Sequence, residues 1–267
     1  MELVARLIIV AVLLIVVQEL FRRANMFAAL GVFLILPMAL AVYWFRMGQA
    51  GAYGNTGVFP WVKLVSLQVG ACWLTALRFT FLGRYQWALG LSFVMLPLNM
   101  LEAVTQDAFG GHLAHYLLVL TGALLIFSVP HPMRAIRVDP TDRYREIRYT
   151  GMTRVWIAGY TLWNGTFVYL NYPTVAGHQM AVLASSLLIG LIKPSRWLQA
   201  RTFTLATDLL MFATFPGVLV PLTDTSHWAS PDREDCAAAV CLASTVAYAA
   251  WFFARRKGRS IEQVADD

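Results

Sequence analysis

The chain reads as an all-α, polytopic transmembrane helical bundle of about nine spans, with its N-terminus outside and its C-terminus cytoplasmic. Three observations carry that expectation. Composition comes first: 58% of the 267 residues are hydrophobic and 13% are charged, where a soluble domain is about 25% charged. Mean hydropathy is +0.59. Second, mostly apolar runs of roughly 17 residues or more recur, long enough to cross a bilayer as helices. Third, the basic residues fall in the short connections between those runs, and they fall unevenly.

The first span covers about residues 3–20. Arg6 precedes its apolar run, and Glu19 and Arg22-Arg23 follow it with no small-residue cleavage site. It is therefore expected to be retained and not removed as a signal peptide. The second (about 27–46) and third (about 62–82) are separated by a glycine-rich loop, and the third carries Trp73 and Arg78. The fourth, about 87–106, contains Pro97, which removes a backbone donor and frees the Phe93 carbonyl, so a local bend is expected there. The fifth covers about 112–129.

A long basic connection, HPMRAIRVDPTDRYREIRYTGMTR, leads to the sixth span at about 155–172. This connection reads as a solvated loop that fixes orientation, within reach of anionic headgroups. The seventh, about 179–192, is short for a crossing. The eighth, about 197–222, contains Pro216 and is expected to kink at Phe212. The acidic loop TDTSHWASPDRED precedes the ninth, about 237–254. Residues 1–254 thus form one transmembrane domain, and 255–267 form a cytoplasmic tail, basic and then acidic.

Charge tests the count. With the C-terminus inside, 16 basic residues lie in cytoplasmic connections, four lie outside and Arg78 lies within a span. Such a bias is what topology selection produces. A formal charge of +6 in a soluble protein would suggest nucleic acid, but no separate basic domain is present to bind it. Cys72, Cys236 and Cys241 read as unpaired small residues. The pair in His112-Leu-Ala-His115 has no second ligand pair at its height, so neither a metal nor another cofactor is expected.

Polar side chains inside spans cost roughly 2.5–3.5 kcal/mol at the bilayer centre, so they face a cavity or a partner. Glu102, Asp208 and Asn164 stand out. Counted from the inner ends of their spans, Asn164 is roughly 14 Å deep, Asp208 roughly 17 Å and Glu102 roughly 22 Å. One shared chamber is the expectation. Asn99 lies three residues before Glu102, on the same helix face. Trp156, Tyr160 and Trp163 form an aromatic face beside Asn164, and Trp73 and Phe212 are expected to join it. Arg201 and Arg78 lie toward the inner side. Acids beside rings suit a cavity that handles a cation.

Small size, an all-helical membrane body, Asn99-x-x-Glu102, the lone Asp208 and many aromatics together resemble the integral-membrane terpene cyclases of meroterpenoid and indole-terpenoid pathways. That resemblance implies a multi-pass enzyme of the cell membrane acting on a lipophilic, prenylated substrate. Glu102 and Asp208 would be catalytic, protonating an alkene or epoxide to start carbocation cyclisation. Asn99, Asn164, Trp163, Tyr160, Trp156, Trp73, Phe212, Arg201 and Arg78 would contact substrate. Two alternatives stand beside it. One is a transporter or channel for a small organic cation or a proton-coupled solute, built on the same residues. The other is a structural protein whose acids only pair with basic residues, which requires a cation within about 4 Å of each.

Overall fold

The computed structural model describes residues 2–47, 58–129 and 135–256. The His131 and Arg134 end of the basic connection and the tail from Lys257 onward lie outside the described residues.

All the expected spans are helical. They are α1 (Glu2–Arg23), the broken rod α2 (Met26–Leu30) and α3 (Leu36–Met47), α4 (Val58–Phe79), α5 (Gln86–Ala108) and α6 (Leu113–Phe127). After a hairpin come α7 (Arg154–Asn171), α8 (Ala176–Ile192), α9 (Trp197–Thr214), α10 (Pro216–Thr223) and α11 (Pro231–Arg256). Six of these rods are long and apolar enough to cross a membrane, or seven if the bent run through α9 and α10 is one span. The shorter α6 is apolar as well.

Local chemistry sets the boundaries. Asn25 caps α2 by accepting from the Ala28 N–H at 2.9 Å, and Thr153 caps α7 by accepting from the Trp156 N–H at 3.1 Å. A π-helical segment, Gly31–Ile35, joins α2 to α3 just before Pro37, a residue that cannot supply an N–H to the ladder. α5 continues through Pro97 as one helix. Beyond Phe215 the chain bends by 109° between the helical runs Pro194–Thr214 and Pro216–Trp228. The eighth expected span is therefore two rods rather than one kinked rod, because Pro216 opens a new helix instead of bending the old one.

Side-chain contacts sort the helix ends into two groups. At the hairpin end, Arg78 of α4 donates to the carbonyls of Phe21 (3.0 Å) and Tyr144 (2.9 Å). Arg154 of α7 donates to Leu191 O of α8 at 2.6 Å. At the far end, Arg6 of α1 donates to Leu222 O of α10 at 3.5 Å, and Trp44 of α3 donates to Thr214 Oγ1 of α9 at 3.2 Å. Tyr169 of α7 donates to Trp228 O at 2.6 Å. Successive rods thus run antiparallel.

The basic connection departs from the expected solvated loop. Ile136–Val138 (β1) and Ile147–Tyr149 (β2) pair antiparallel, and Ile136, Ile147 and Tyr149 are buried. Gln199 of α9 accepts from the Ile147 N–H at 2.8 Å. At the centre lies Glu146, buried, which accepts from Arg22 at 2.7 Å and from Arg196. Alternation of Ile with Arg gave the strand one apolar face, and that face packs inward.

The core is aromatic and small-residue packing between rods. Trp156 and Trp163 of α7 donate their indole N–H groups to Leu125 O (3.2 Å) and Leu118 O (3.0 Å) of α6. Gly122 of α6 makes room for this: an added Cβ would lie 2.9 Å from Trp163 Cζ2 and 2.5 Å from Val104 Cγ2. Close approach through small residues is how apolar helices associate where lipid removes the hydrophobic drive. The outer surface of α1 exposes Val4, Ile8, Val12 and Val16, a face suited to lipid and unsuited to water.

Candidate functional site

A cleft of about 90 Å³ runs between α4, α5 and α9, with α7 behind it. α4 contributes Ser66, Gly70 and Trp73; α5 contributes Ser92, Met95 and Asn99. Tyr160 of α7 and Arg201, Thr202 and Leu205 of α9 close the other walls. Eight-residue stretches such as Ser92–Asn99 make it roughly 10–12 Å long at 1.5 Å per residue. Gly70 sits opposite Thr202, where an added Cβ would meet Thr202 Cγ2 at 4.0 Å.

Arg201 is the one charged side chain in that lining among the described residues. It is 7% exposed, and its Nε and Nη1 have no hydrogen-bond partner. The nearest acid along α9, Asp208, is committed elsewhere. It lies 2.6 Å from His178 Nε2 and accepts from Gln179 Nε2 at 3.0 Å. His178 in turn lies 3.4 Å from Thr223 Oγ1 of α10, with the Phe212 ring edge-on at 4.8 Å. Asp208 and His178 are both buried.

Glu102 belongs to a second network at the far end. Lys63 of α4 donates to Glu102 Oε2 at 2.8 Å and to Asn99 Oδ1 at 3.1 Å. Asn99 also lines the cleft, so this pair caps the cleft's outer end. A turn further out, Gln106 donates to the Tyr172 hydroxyl at 2.8 Å and to Asn171 Oδ1 at 3.2 Å. Asn171 donates to Asp107 Oδ1 at 2.8 Å, and His115 Nδ1 lies 2.7 Å from the same oxygen. The polar groups therefore step from the cleft to the far end of the bundle.

Placement of the expected site residues follows from this. Asn99, Trp73, Tyr160 and Arg201 share the cleft. Glu102 touches its rim through Lys63 and Asn99. Asp208 and Phe212 do not line it; they belong to the His178 network on the α8–α10 side. The two acids do not share a chamber, because Asp208 faces His178 and Gln179 of α8 while Glu102 faces Lys63 of α4. Each has a basic side chain within 4 Å. Asn164 donates to the Tyr160 hydroxyl at 3.2 Å and orients neither acid. Trp156 and Trp163 are filled core bonded to α6. Arg78 ties α1 and the hairpin to α4 through backbone carbonyls and does not line the cleft.

Sequence reasoning missed five residues. His178 reads from the sequence as an outer-end residue and Gln179 as the start of the seventh span, yet both are buried against Asp208; a buried Asp needs a donor, and that need was the available signal. Ser66 and Ser92 line the cleft, but isolated serines in apolar helices carry no distinctive pattern. Asp107, five residues beyond Glu102, holds α5 to α6 and α7.

The family model DUF5692, described as a family of unknown function, matches residues 1–133 and 135–260. No curated protein and no solved structure matches the chain. With nearly its whole length matched, the chain belongs to DUF5692, a family of unknown function.

Proposed function

We propose that this is a multi-pass protein of the cell membrane whose nine rods cross the bilayer, N-terminus outside and hairpin end cytoplasmic. It carries a small lipophilic solute through the α4/α5/α9 cleft, with a proton moving alongside. The observation behind this reading is a cleft with polar lining from four helices inside an otherwise apolar bundle. Antiparallel rods and the basic bias of the connections support the crossing order. The 109° break after α9 supports a carrier, since discontinuous helices recur beside transporter sites. The Lys63–Glu102 ion pair at the rim is the natural proton-linked element of such a carrier, since it joins α4 to α5 at the cleft's outer end.

Acid-initiated terpene cyclisation is the second reading, favoured by Trp73 and Tyr160, whose rings line the same cleft as Asn99. It asks Glu102 alone to deliver the proton, because Asp208 is engaged by His178 and Gln179 on another wall. The open volume is also small for a prenylated indole, where ligand pockets are typically about 300–1,000 Å³.

Vesicles carrying the protein separate the two. Incubated with labelled eight-carbon solutes, they are expected to accumulate a solute of unchanged mass. Accumulation should be faster under an inward proton gradient and at least about tenfold slower in Glu102→Gln. An isomer of a prenylated indole, formed by the wild type and not by Glu102→Gln, would overturn the carrier in favour of the cyclase.

A further inference from the structure

The structure assigns an anion-binding role to Arg201: we infer that the solute taken by the cleft carries a negative headgroup, a carboxylate or phosphate, that docks on this guanidinium. The inference rests on the cleft reading above and names its substrate class. A guanidinium stays charged at any pH a protein meets. Burying it without a counter-charge is strongly unfavourable, so buried cations are paired or await a partner.

Every described acid near Arg201 is already engaged. Asp208 on the same helix is held by His178 and Gln179. Glu146, beyond the start of α9, is held by Arg22 and Arg196. Glu102 across the cleft is held by Lys63. Two guanidinium nitrogens consequently lack any partner while the side chain borders the open volume.

The lining suits an amphiphilic anion. Ser92, whose hydroxyl has no hydrogen-bond partner, lines the same cleft as Arg201, and Met95 and Leu205 offer an apolar channel toward the rim. A roughly 10–12 Å cleft matches an eight-carbon chain with its headgroup at the hairpin side. The cation expected from the acids and rings is disfavoured here, since the only lining charge is positive.

The test uses the full-length protein in nanodiscs with four probes of one chain length: octanoate, octyl phosphate, octanol and octyltrimethylammonium. Binding is read by tryptophan fluorescence, with Trp73 in the cleft wall. Octanoate, octyl phosphate or both should bind, and their relative affinities tell the carboxylate from the phosphate. Arg201→Gln should weaken that binding about 30-fold, with Arg201→Lys in between. Octanol binding as tightly as the anions, unaffected by Arg201→Gln, would overturn the anion assignment and leave the cleft reading standing. Failure of all four probes would overturn both.

A second readout needs no ligand. Removing an unpaired buried charge relieves a penalty, so Arg201→Met should raise the unfolding midpoint by roughly 3 °C. A drop of similar size would mean that Arg201 is internally paired, and the assignment would fall.

Discussion

Replacing Glu146 by Ala is expected to cost about 3–5 kcal/mol of stability and to lower the thermal midpoint by roughly 10 °C. Glu146 is buried and is the common acceptor for Arg22 and Arg196. Arg78 lies beside it, fully buried and bonded to backbone carbonyls. One carboxylate therefore offsets several guanidinium groups drawn from α1, α4 and the start of α9. Arg22 keeps Glu19, but Arg196 loses its acid partner, and removing one partner of a buried pair is far more damaging than the pair's net worth. Arg148→Ala is the control: that side chain is 36% exposed and only 4.0 Å from Glu146, so its removal should cost no more than about 1 kcal/mol. Hydrogen exchange at the Ile147 amide, which reports hairpin docking through Gln199, should rise with Glu146→Ala and not with Arg148→Ala. Equal midpoints for Glu146→Ala and wild type would refute the clasp.

Trp163→Ala is expected to destabilise the bundle by about 3–5 kcal/mol while leaving solute binding in the folded fraction intact. The ring is fully buried, is held by Leu118 O and is seated over Gly122. It fills space between α6 and α7 and does not reach the cleft. Truncation leaves a void that rigid neighbours cannot close. Tyr160→Phe should do the opposite. Its ring lines the cleft, and only the Asn164 contact to its hydroxyl is lost, so the fold should persist. Thermal unfolding and probe affinity measured on both variants check this. A Trp163→Ala protein that is stable but unable to bind would return the residue to the substrate-contacting role its aromatic neighbourhood suggested.

The positions of the rods were legible because apolar length is a strong signal, and each expected span coincides with a helix or a broken helix. Partners were not. Asp208 and Glu102 fall at comparable depth, but depth says nothing about rotation around the bundle axis. That rotation is decided by packing, which turns Asp208 toward α8 and Glu102 toward α4. The hairpin was hidden because strands of three residues leave little periodicity. Its burial depends on Glu146 finding arginines more than 45 residues away in sequence. Arg201 was legible as a basic residue toward the inner side. What could not be seen was that every acid able to pair with it is engaged elsewhere.

The most direct test of the cleft as the binding site is to plug it. Gly70 borders the cleft, and an added Cβ there meets nothing nearer than Thr202 Cγ2 at 4.0 Å, so Gly70→Phe should fold and project its ring into the open volume. Octanoate affinity of Gly70→Phe in nanodiscs, measured beside the wild type, is expected to fall at least about 30-fold with an unchanged unfolding midpoint. Equal affinity in a normally folded Gly70→Phe protein would contradict the cleft as the site.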